Sequence, residues 1–266
     1  MSTPHLRIAI IDMYDGNANV GMDCIELLLS HWSQDRNTSY EYQIFKLRNC
    51  CEIPDHNFDA YISTGGPGSP LDSVGEQWDT LYTIWLDQMW TLKKPVFLIC
   101  HSFQIACRHF NLGKISLRKS RQIGILPVHP LEKNDLFQGL EDPFYTLESR
   151  FYQITEPNDT LINDMGASIT CLEKIRPEVP LERAIMGIQF NENMAGVQFH
   201  PEGEYHILLN YFNEDKIKSS MVEEFGIEKW DRMIENLNDP QKIKSTYHTI
   251  IPNFLDKALK AKSQIL

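Results

Sequence analysis

Cys100 follows an apolar run, Pro95 to Ile99, and directly precedes Phe103 to Phe110, where apolar residues return at helical spacing. A side chain at such a strand-to-helix turn projects from the C-terminal edge of the sheet, where open α/β sheets bind their ligands. The positive end of the next helix and its unpaired N–H groups lower a thiol's pKa and stabilise an oxyanion. The chemistry this position suits is nucleophilic attack. A cysteine there can also be a small buried hydrophobe, so the turn alone leaves both readings standing.

Val197-Gln198-Phe199-His200-Pro201-Glu202 favours the first reading. An apolar strand delivers a histidine and, two residues later, a carboxylate, and period-two geometry puts both on one side. Glu202 can accept the imidazole N–H and fix its tautomer while the other ring nitrogen faces the thiol. A third element, Ser63-Thr64-Gly65-Gly66-Pro67-Gly68-Ser69-Pro70, is a glycine-dense turn after a strand, where missing side chains let a backbone N–H approach a ligand. The other histidines have no companions at metal spacing, so neither a metal site nor a cofactor is expected.

The elements that must position these residues read as α/β. Leu6 to Ile11 is an apolar strand, followed by a helix from about Val20 to Trp32 and strands at Tyr42 to Leu47 and Phe58 to Ser63. A helix is expected from Val74 to Leu92, stopped by Lys93-Lys94-Pro95. Strands apolar on both faces and alternating with helices imply an open, mostly parallel sheet with helices on both faces. From Ile123 to Leu181 the texture changes to short strands and turns, a mixed or antiparallel edge, before the strand Ala195 to Phe199. Tyr205 to Leu266 reads as charged helices. The expected organisation is one α/β domain, residues 1–205, and a helical C-terminal extension, 206–266, packed on it through Phe225, Ile227, Trp230, Met233, Ile234 and Leu237.

The chain has 266 residues and a net charge of −11, which argues against a nucleic-acid partner because such proteins carry a basic footprint. No apolar stretch approaches a membrane span, and Met1 to Leu6 lacks the basic start of a secretory signal. Six cysteines without metal or disulfide spacing point to a reducing cytoplasm.

Leu98-Ile99-Cys100-His101-Ser102-Phe103-Gln104 resembles the pattern Gly-Ile-Cys-x-Gly-x-Gln of class I glutamine amidotransferases, the family that includes the glutaminase domain of GMP synthase. Gly196 to Glu202 matches that family's Gly-Val-Gln-Phe-His-Pro-Glu at every position. The resemblance covers roughly residues 6 to 205 and implies a flavodoxin-like amidotransferase fold. It also implies that Cys100 attacks the glutamine side-chain amide and forms a thioester. His200 would protonate the departing ammonia and then activate water, with Glu202 orienting it. By the same resemblance the backbone N–H groups of Gly66 and His101 form the oxyanion hole, and Gly65 and Gln104 help hold the substrate.

Three positions depart from the pattern. Leu98 and Ser102 stand where the family usually has glycine, so the turn must find room for two side chains. Glu148-Ser149-Arg150 stands where a His-x-Asp segment is usual, and Arg150 either binds a substrate carboxylate or pairs with Glu148. The extension carries no Gly-rich phosphate loop, so the ammonia would pass to a separate synthase subunit or the chain would act alone. The substrate class is glutamine or a γ-glutamyl compound. A γ-glutamyl hydrolase, an acyl transferase resembling homoserine succinyltransferase, and a non-catalytic regulatory protein on the same scaffold are the alternatives.

Overall fold

The computed structural model describes residues 5–131 and 134–264; the first four residues and the last two of the expected helical tail lie outside these. One nine-stranded sheet organises the chain, in the order β2-β1-β3-β4-β9-β8-β7-β5-β6. Its parallel part consists of β1 (His5–Asp12), β2 (Ser39–Lys46), β3 (Ala60–Ser63), β4 (Val96–Ile99) and β9 (Met194–Val197). The antiparallel part adds β5 (Lys114–Pro130), β6 (Phe144–Thr155), β7 (Ser168–Glu173) and β8 (Ile185–Gln189). The sheet curls until Leu147 of β6 bridges to His200, just past β9.

Period-two alternation gives the parallel strands two apolar faces. Leu6, Ile8, Ile10, Phe97 and Ile99 face one core, against α1 (Gly21–Arg36) and α10 (Ile250–Ser263). Ala9, Ile11, Val96 and Leu98 face the other, against α3 (Gln77–Thr91) and α4 (His101–His109). α10 therefore covers one face of the sheet together with α1, through Ile250, Ile251, Phe254 and Leu255.

Two expectations need correction. The stretch after Ile123 is not built of short strands alone: β5 and β6 are 17 and 12 residues long. β5 runs through Pro127 and Pro130, close to where its pairing passes from β6 to β7. In the C-terminal helices α6 (Tyr205–Asn213), α7 (Asp215–Phe225), α8 (Ile227–Asn238) and α9 (Pro240–Tyr247), Trp230, Met233 and Leu237 pack on Ile123, Ile125 and Leu147. Ile227, at the start of α8, is instead exposed.

Candidate active site

The turn from β4 into α4 is held in a strained shape. Cys100 has φ 51° and ψ −98°, a region that costs a non-glycine residue on the order of 1–3 kcal/mol and persists only where its surroundings enforce it. Those surroundings are visible. The Cys100 N–H donates to Val197 O at 2.8 Å on β9. Ser102 Oγ accepts from Ile99 N at 2.9 Å and lies 2.8 Å from Ser63 O, tying the turn to the end of β3. The serine that departs from the glycine pattern thus fastens the turn. Leu98 finds its room opposite Gly196, its register partner, where any Cβ would come within 2.9 Å of the leucine Cβ.

β9 brings the second pair of groups to the same edge. Beyond it the chain is pinned by the His200 N–H donating to Leu147 O at 2.8 Å. His200 Nδ1 lies 2.8 Å from Glu202 Oε1, and the carboxylate is buried. Burial alone would lower the His200 pKa. Glu202, together with Cys100 as neighbouring charge and hydrogen-bond partner, holds it well above the ordinary imidazole value instead. The ring reaches this place because residue 65 is glycine: a Cβ there would lie 2.7 Å from His200 Cε1 and 3.4 Å from Cys100 Cβ. Gly65 therefore makes room for the imidazole.

The glycine turn is pressed against β1. A Cβ on Gly66 would lie 2.2 Å from Met13 O, and Arg48 of α2 (Leu47–Cys50) donates to the carbonyls of both Met13 and Pro67. Among the described residues, no group of the chain accepts a hydrogen bond from the Gly66 or the His101 N–H. The His101 ring is buried against Trp78. Burial, then the charges of Arg48 and Arg108, pull its pKa down to about 3, so it is neutral. Gln104 Nε2 donates to Gln198 Oε1 at 3.0 Å, and Gln198 Nε2 in turn lies 3.6 Å from Cys100 Sγ. Gln104 thus reaches the sulfur through Gln198, two residues before His200, whose type and place carry no catalytic signal of their own. Tyr14 also lines the site, its pKa raised by burial and then by Glu202 and Cys100; nothing in its sequence surroundings marks it.

The model for the class-I glutamine amidotransferases matches residues 10–207. The chain belongs to this family. It is 26% identical over 195 residues to a GMP synthase [glutamine-hydrolyzing] of Listeria monocytogenes, covering 73% of the chain and 33% of that protein. It is 26% identical over 214 residues to a homoserine O-succinyltransferase of Shewanella pealeana, covering 75% of the chain and 61% of that protein. The chain thus spans about a third of the GMP synthase it matches. A glutamine amidotransferase structure from Thermotoga maritima superposes with a TM-score of 0.69 at 14% identity, over 96% of this chain and 99% of that one. At that identity the likeness shows a shared fold.

In this member of the family Arg150 does not offer a free guanidinium to a ligand. Its Nε donates to Glu148 at 2.8 Å and one Nη to Glu173 of β7 at 3.1 Å, all three side chains being enclosed. Arg150 lines the cavity over Cys100, but its guanidinium is turned to these two carboxylates, while the Ser149 backbone carbonyl lies 4.0 Å from Cys100 Sγ.

A cavity of about 390 Å³ opens over Cys100, His200 and Glu202. Leu208, Tyr211 and Phe212 of α6 line it, as do Ile123 and Arg121 of β5. The helical extension therefore builds part of the site. Among the described residues no cluster of His, Cys, Asp or Glu is gathered as for a metal ion, and no helix is long and apolar enough to cross a membrane.

Proposed function

We propose that this amidotransferase-family chain hydrolyses a γ-carboxamide, with Cys100 as nucleophile, His200 as acid and base, and Glu202 orienting His200. The observation that carries this reading is the placement of His200 between the Cys100 sulfur and Glu202, with Nδ1 on the carboxylate and the ring held above its ordinary pKa. That leaves Nε2 for the sulfur.

In the acylation step the thiol proton passes to His200 and the sulfur adds to the amide carbon. The oxyanion is held by the Gly66 and His101 N–H groups, neither of which has an acceptor among the described residues. Collapse breaks the C–N bond, the proton on His200 goes to the departing nitrogen, and ammonia or an amine leaves. Water then adds to the thioester, giving its proton to His200, and collapse returns that proton to the sulfur and releases a carboxylic acid. Glutamine is the expected substrate, and the ammonia would pass to a synthase partner or to solvent in a reducing cytoplasm.

A second reading, cleavage of γ-glutamyl amides with a larger amine, is favoured by the apolar wall of Leu208, Tyr211 and Phe212. A cavity of this size admits more than an ammonia leaving group. The test is to incubate the chain with glutamine and with γ-glutamyl amides and to compare ammonia or amine release with that of Cys100→Ala. The variant is expected to release neither. Equal release from both proteins would reject Cys100. The preferred substrate separates the two readings.

A further inference from the structure

Arg150 takes the second of its two expected roles, pairing with Glu148, and another guanidinium on the neighbouring strand stands closer to the first. Arg121 of β5 lines the cavity over Cys100. Its Nη2 donates to Ser149 Oγ at 3.3 Å, and its guanidinium carbon lies 5.2 Å from the centre of the Phe151 ring. Its carboxylate neighbour is Glu224 of α7, at 3.6 Å and half-exposed. Arg121 Nε is buried without a partner among the described residues. Arg150 by contrast is enclosed between two carboxylates.

Ser149 reaches both this arginine and the nucleophile. Its hydroxyl touches Arg121 while its carbonyl stands 4.0 Å from Cys100 Sγ. That span suits a substrate with a short aliphatic chain between the carbonyl under attack and a distal anion. The local field has the matching sign. Lys229 is held below its ordinary pKa by burial and then by Lys174, with Arg121 and Arg232 adding to it, while Glu224 opposes. Lys174, Arg121 and Arg232 thus surround Lys229 with positive charge in a chain of net charge −11, and of these Arg121 lines the cavity.

Resting on the hydrolase reading above, we infer that Arg121 binds the carboxylate of the acyl donor, making a carboxylate a few bonds from the scissile carbonyl a requirement of the substrate. Glutamine and γ-glutamyl amides carry one; their α-amides do not.

Binding can be tested apart from turnover. In Cys100→Ala protein, calorimetry with L-glutamine and with L-glutaminamide reports the preference for the carboxylate. A preference of about 10- to 100-fold is expected, the range of a hydrogen bond between charged groups. It should vanish when Arg121→Gln is added and survive in part with Arg121→Lys, which keeps the charge and loses the fork. Glu224→Gln leaves Arg121 in place and removes its competitor, so affinity for glutamine should rise while that for glutaminamide stays level. A carboxylate preference that persists in folded Arg121→Gln protein overturns the inference, as does the lack of any preference with Arg121 intact. A fall in glutamine affinity in Glu224→Gln overturns it too. Failure of the unmodified chain to hydrolyse a ligand that it binds with this preference would instead count against the hydrolase reading.

Discussion

Leu98 of β4 and Gly196 of β9 are register partners, and no side chain can be built at 196 without meeting the leucine. The leucine that departs from the family's glycine is thus accommodated across the sheet. A Cβ at 196 would also lie 2.7 Å from Phe103 Cδ2, so Gly196→Ala is expected to destabilise the fold by about 1–3 kcal/mol, the range for overpacking a filled core. Leu98→Gly should relieve part of that cost when combined with it. Thermal unfolding of both single variants and the double variant measures the coupling; strict additivity would contradict this account.

Ser102 bonds to both Ile99 and Ser63. Ser102→Ala leaves a buried N–H and carbonyl short of a partner, and a loss of about 1–3 kcal/mol is expected. Because the same bonds hold the strained Cys100 backbone, turnover should fall more than substrate affinity does. A kcat and KM comparison checks this.

His200 sets a pH dependence of known sign. Its folded pKa lies above the unfolded value near 6.5, so the stability gained from its protonated form is fully present below about pH 6.5. That stability is lost as pH rises through the higher folded value. Glu202→Gln and Cys100→Ala each remove a group that raises the pKa, so the imidazole signal in NMR titration should move to lower pH in both variants.

Arg150 is structural in this account. Arg150→Ala strands Glu148 and leaves Glu173 to Arg118 and Arg176, and loss of a partner from a buried ion pair costs about 3–5 kcal/mol. Urea unfolding should show this. Substrate affinity, measured where the variant remains folded, should change little, whereas a selective rise in KM would restore the carboxylate-binding role.

The parallel half of the fold was legible because each of its strands is a short apolar run ended by a turn, as Val96–Ile99 is ended by Cys100. The lengths of β5 and β6 were not, because Lys114 to Ser120 is polar and its pairing with β6 is set by long-range contacts. Cys100, His200 and Glu202 stood out since each combines a reactive side chain with a strand end. The pairing of Arg150 with Glu148 was one of two readings the sequence left open, and its second carboxylate partner, Glu173, could not be read because it lies on another strand. Arg121 carried no motif, and only the packing of β5 beside β6 brings it to the nucleophile through Ser149.

The central claim is that Cys100 carries the acyl group. Rapid acid quench of the chain during turnover of glutamine or a γ-glutamyl amide, followed by peptide mass spectrometry, tests it most directly. A hydroxylamine-labile γ-glutamyl adduct on the peptide containing Cys100 is predicted, absent from Cys100→Ala. Continued turnover by Cys100→Ala, or an adduct on any other residue, would contradict it.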